Sequence, residues 1–103
     1  MVRRVDASGA ECPIARSLGL IGDGWSLLIV RDAVDGFSRF GEFQNSLGIA
    51  RNILAARLKG LVSCGVLERT EEGDYRLTAK GEALRPVLAA LREWGTRWVP
   101  RAP

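Results

Sequence analysis

The 103-residue chain has no histidine, one methionine and two cysteines. Without histidine it lacks the usual general base, the base half of a Cys–His pair and the commonest metal ligand. Cys12 and Cys64 are too far apart for a CxxC motif, and two cysteines make no disulfide framework, which agrees with a reducing compartment. These absences argue against an enzyme, a metal centre or a bound cofactor. No apolar run approaches the roughly 20 residues that cross a bilayer, and the opening MVRRVDASGAECP is followed by no small-residue cleavage site. The expected location is cytoplasmic, with no membrane contact.

What is present fits one globular domain: 47% of residues are hydrophobic and 26% charged. Residues 1–11 have no apolar periodicity and read as a flexible arm, which leaves 12–103 as the domain. The net charge of +3 is unevenly placed: residues 1–50 hold 5 Arg/Lys against 6 Asp/Glu, and residues 51–103 hold 10 against 6. A basic second half suits a polyanionic partner and equally an ordinary solvated surface.

Apolar spacing predicts mainly helix. Pro13 fits a first helical position, and Ile14, Leu18 and Ile21 share a face, giving a helix over about 13–22. After Gly22-Asp23-Gly24, a second stripe of Trp25, Leu28, Ile29 and Ala33 predicts a helix over about 25–34. Ser38 is the expected cap of a third helix, about 39–46, carrying Phe40, Phe43 and Leu47 and stopped by Gly48. A fourth, about 50–63, is closed by Gly65. VLERT (66–70) and DYRLT (74–78) read as a β-hairpin, and Thr78 caps a last helix with a kink expected near Arg85 because Pro86 lies inside it.

The third and fourth helices form a helix-turn-helix, and the hairpin after them makes it winged. On the fourth helix, Leu54, Leu58 and Leu61 fall within about 60° of one another and must face the core, with Ala55 and Val62 beside them. The opposite side holds Asn52, Ala56, Lys59 and Ser63, with Arg51 at the first turn and Arg57 on a flank. No acid interrupts residues 51–63, and over 39–59 Arg39, Arg51, Arg57 and Lys59 face Glu42 alone.

A solvated surface helix mixes signs to gain i, i+4 pairs. An acid-free face that is small in the middle suits the major groove: Ala56 permits close approach, Asn52 can bond an adenine edge twice, and Arg51 or Lys59 can reach guanine or phosphate. In the wing, Arg69 and Arg76 are the candidate contacts, while Glu71, Glu72 and Asp74 would be repelled by phosphate. The competing readings are a purely structural hairpin and a winged helix that binds protein rather than DNA.

CPIARSLGLIGDGWSLLIVRD, RFGEF, LGIARNILAARLKGLVSCGVLER and YRLTAKGEALRPVLAALREWG, in that order, resemble the HxlR-type winged helix-turn-helix transcriptional regulators of bacteria. The resemblance runs from Cys12 to about Trp98. It implies a homodimer joined through the N- and C-terminal helices on a palindromic operator in double-stranded DNA. Ile14, Leu18, Leu91, Trp94 and Trp98 would then line the dimer interface; the alternative is that the tryptophans complete a monomer core. It also implies that Cys12, in the family's Cys-Pro position, senses an oxidant or small-molecule electrophile, against the alternative of an inert small residue buried at the dimer interface. One departure stands out: the wing is shorter than the family's.

Overall fold

In a computed structural model, residues 11–102 are described; the expected arm over 1–11 falls almost wholly outside them. The elements are α1 (Pro13–Ile21), α2 (Ser26–Val34), α3 (Phe40–Leu47), α4 (Arg51–Ser63), β1 (Leu67–Arg69), β2 (Tyr75–Leu77), α5 (Ala79–Glu82) and α6 (Arg85–Trp98). This is a winged helix-turn-helix, helical apart from one two-stranded antiparallel hairpin.

Several starts and stops have a local cause. Asp23, in the link after α1, caps α2: its Oδ1 accepts from the backbone N–H of Trp25 (2.9 Å) and Ser26 (3.0 Å), and its Oδ2 from the Ser26 hydroxyl. Ser38 does not cap α3. Glu42, the third residue of the helix, reaches back instead, accepting from the N–H of both Ser38 and Arg39 at 3.0 Å, the Glu half of a capping box. Gly48, at φ +62°, ends α3 and turns the chain through Ile49 into α4.

At the far end of α4, Gly65 (φ +82°) allows a Schellman closure, in which Val66 N–H donates to the Leu61 carbonyl and Gly65 N–H to that of Val62. Each strand is one residue shorter at either end than its pattern suggested; at the turn, Thr70 and Asp74 are joined by two hydrogen bonds.

The core joins Ile29 and Val30 of α2, Phe43 of α3, Ile49, the α4 leucines 54, 58 and 61, and Val66, Leu67 and Tyr75 of the hairpin. Val30 takes a core position that the expected α2 stripe omitted, and Leu28 is exposed. Phe43 meets Tyr75 edge-on with ring centroids 6.4 Å apart. Ala55 is exposed rather than set beside the core, because it stands about 100° from the leucine stripe.

The last helix breaks rather than kinks. Thr78 caps α5 as expected, accepting from Gly81 N–H, but α5 ends after one turn and α6 restarts with Pro86 in its first turn, where no N–H is needed. Among the described residues no helix is long and apolar enough to cross a membrane.

Candidate nucleic-acid interface

The leucines of α4 fix which side faces outward. Arg51, Asn52, Ala55, Ala56, Lys59, Gly60 and Ser63 are exposed, a run of small side chains edged by basic and amide groups. The Arg51 guanidinium lies 5.0 Å from the centre of the Phe40 ring, a cation–π contact that holds its charge at the start of the helix. Arg39 is exposed at the start of α3. The structure thus brings Arg39, Arg51, Asn52, Ala56 and Lys59 onto accessible surface of the helix-turn-helix.

Arg57 is different. It turns back toward the body, half-buried, with Nε 3.2 Å from Asp23 Oδ1. It stands only about 60° from the leucine stripe, near enough for its stem to be covered while its head finds the acid of the α1–α2 link. That 60° offset was the available signal; the partner 34 positions earlier was not visible without the fold.

The wing's arginines are also engaged. Arg76 Nε pairs with Glu68 at 2.5 Å across the hairpin, where the register sets the two residues opposite each other. Arg69 packs 5.2 Å from the Tyr75 ring centre and donates through Nε to the Gly73 carbonyl at 3.3 Å. Glu71 and Glu72 stand exposed at the tip. A groove of about 540 Å³ runs between α4 and the hairpin, with Lys59 and Ser63 on one wall, Arg69 and Tyr75 on the other.

Away from this face, α6 buries none of its residues and α1 buries only Ile21. Ile14, Leu18, Leu91, Trp94 and Trp98 are all exposed, the two tryptophans at 60% and 63%, so neither completes the core of a single chain. Leu20, Leu28, Val87 and Val99 extend the exposed apolar set beyond the residues the sequence singled out. In the single chain Cys12 is exposed at the N-cap of α1. Cys64 is half-buried, its thiol directed at the Leu61 carbonyl 3.6 Å away.

A helix-turn-helix with this exposed α4 and a hairpin behind it is matched, over residues 20–103, by the family model for the HxlR-like helix-turn-helix. The chain belongs to that family. Among its relatives, an uncharacterised HTH-type transcriptional regulator of Mycobacterium tuberculosis is 39% identical over 94 residues, 85% of this chain and 60% of the relative. The chain therefore spans about three-fifths of that relative's length. Of solved structures, PA1607, a candidate transcription factor, aligns over 96% of this chain and 72% of its own, with 56% identity and a TM-score of 0.88. The Bacillus subtilis protein YodB, crystallised with a quinone bound, aligns over 84% of this chain and all of its own, with 34% identity and a TM-score of 0.76. The family is thus shown by sequence, and its winged helix-turn-helix fold by structure.

Proposed function

We propose that this chain is a DNA-binding transcriptional regulator that works as a homodimer, its α4 reading the major groove of a two-fold operator. The observation that carries the reading is the outward face of α4: acid-free, small along its middle, and edged by Arg51, Asn52 and Lys59. The mycobacterial relative's designation as a transcriptional regulator supports it. Asn52 is the candidate base reader; Arg51, Lys59 and Arg39 are the candidate backbone contacts. Arg69 and Arg76, already held within the wing, and the acidic tip beside them make the wing a minor contributor.

The exposed α1 and α6 residues, an apolar surface of the kind that marks an interface, support dimerisation. Two-fold pairing would set two α4 helices one helical turn of DNA apart, about 34 Å. Cys12, exposed at a helix start in a chain whose fold is shared by a protein crystallised with a quinone, is the candidate sensor of an oxidant or electrophile.

Fragments of the source genome selected on the protein test the reading. It expects enrichment of sequences with two related half-sites, and binding that weakens steeply with salt, the log–log slope changing by about 0.9 per phosphate neutralised. Failure to retain any fragment at low salt would reject DNA binding and favour a protein partner. Mild oxidant should change that affinity in the wild type and not in Cys12→Ser; equal responses would remove Cys12 from the mechanism.

A further inference from the structure

Arg57 is the one base on α4 that a groove-facing surface leaves unexplained. Its Nε is buried and has no hydrogen-bond acceptor, although Asp23 Oδ1 lies 3.2 Å away. That oxygen is already taken by the N–H groups of Trp25 and Ser26, so the contact with Arg57 is one of charge rather than of a directed hydrogen bond. Asp23 itself cannot shift, since three hydrogen bonds fix it to the start of α2.

The pair crosses a cleft of about 220 Å³ between the α1–α2 region and α4. The cleft walls include Gly19, Ala56 and Gly60, which bring almost no side chain, and a Cβ added at Gly60 would meet no atom within 4 Å. Packing fixes the core side of α4 through its leucines. On this side, an ion pair between described residues spans the gap.

We propose that Asp23 and Arg57 form a strut that sets the angle at which α4 is offered to DNA, so that both are positioning residues for sequence discrimination and neither touches a base or a phosphate. The proposal rests on the DNA-binding reading above. The strut also ties the reading helix to the link that follows α1, the helix that carries Cys12 and the exposed Ile14 and Leu18. A change of α1 in its interface therefore has a direct route to α4.

The test uses the full chain with Asp23→Asn, Arg57→Gln, their combination, Arg57→Lys, and Lys59→Gln as the phosphate-contact comparator. Asp23→Asn keeps an oxygen that can accept from Trp25 and Ser26, so α2 stays capped. Affinity is measured by fluorescence anisotropy on a selected site and on a scrambled duplex across a salt series.

The strut expects Asp23→Asn and Arg57→Gln each to cut the cognate-to-scrambled ratio by roughly tenfold, and the double variant to do no worse than either single. Arg57→Lys should keep most of the ratio, because charge and not fork geometry makes the contact. The salt slope should stay at the wild-type value in all of these, while Lys59→Gln flattens it by about 0.9. An Arg57→Gln slope flattened like that of Lys59→Gln, with wild-type discrimination in Asp23→Asn, would place Arg57 on a phosphate and overturn the proposal.

Amide hydrogen exchange on the DNA-free protein separates the strut from the DNA reading. Asp23→Asn and Arg57→Gln should speed exchange in α4 and leave α6 unchanged. Unaltered protection of α4 would overturn the strut whatever the DNA result, whereas a wild type that binds no duplex would overturn the functional reading and leave exchange to decide the strut.

Discussion

Asn52 and Lys59 stand two turns apart on one face of α4, both exposed, and their chemistry differs in what DNA can offer each. An amide can pair twice with an adenine edge, so its loss is felt on the right sequence; an ammonium is attracted to any phosphate. Asn52→Ala is therefore expected to cost about 1–3 kcal/mol on the preferred site and to relax discrimination, and Lys59→Ala to weaken all duplexes alike. Competition binding with single-base variants of the selected site checks both. Preference unchanged in Asn52→Ala would mean that α4 enters the groove on a different face.

Asp23 gives the same scale a pH signature. Burial raises its carboxyl, but the Ser26 hydroxyl, the Trp25 and Ser26 N–H groups and Arg57 together hold it below the ordinary value of 3.8. The unfolded chain then binds the proton more readily than the native one. Its stabilising contribution is complete above the unfolded value and is lost as pH falls through the native one. Glu42, lowered by the N–H groups of Ser38 and Arg39, and Glu82, lowered by its hydrogen bond from Arg85, act in the same acid window. Urea midpoints followed from neutral pH down into acid should fall less steeply for Asp23→Asn than for the wild type, and an identical profile would contradict the depressed carboxyl.

At the scale of the element, the ends of α4 show how much was legible. Its leucine stripe, the glycines at either end and the Thr78 cap could be read from spacing, since each depends on neighbours within a turn. The separation of α5 from α6 could not, because its cause is tertiary. Thr78 donates through its hydroxyl to the Gly65 and Val66 carbonyls, Lys80 Nζ donates to the Cys64 carbonyl at 2.6 Å, and Gly81 lies against the Val66 carbonyl. Together they staple α5 to the C-terminal end of α4, where a cation also suits the helix dipole. The chain must then turn before α6 begins, and Pro86 is compatible with a new start as much as with a kink.

Arg57 shows the same limit within the candidate site: its direction depends on Asp23, in another element. The staple is testable through Gly81. A Cβ there would stand 2.2 Å from the Val66 carbonyl oxygen, a backbone atom that cannot swing aside. Gly81→Ala should cost about 1–3 kcal/mol in chemical unfolding, against the gain that the same change brings at an open helix position. Stability equal to or above the wild type would show that α5 moves freely.

At the scale of the molecule, α1 and α6 are helices with little of their apolar surface covered. The radius of gyration, 14.2 Å, exceeds the roughly 13 Å of a compact 100-residue chain, as projecting helices require. A second copy covering that surface is the simplest completion, and a two-fold interface makes a sharp demand on mutants: each substitution counts twice. Trp94, 60% exposed and rigid, has the character of a central interface anchor. Trp94→Glu should raise the dimer dissociation constant at least about thirtyfold, equivalent to about 2 kcal/mol, by placing a carboxylate in the apolar surface of each copy. Sedimentation equilibrium reads the change directly. The helical content should stay near the wild-type value, because α6 takes no buried residue from the core. If the dimer is also the DNA-binding unit, a Trp94→Glu monomer should occupy one half-site with roughly half the salt slope, since half as many phosphates are neutralised per binding event. A mutant that stays dimeric would move the interface off α6, and one that is monomeric yet keeps the full slope would detach dimerisation from DNA recognition.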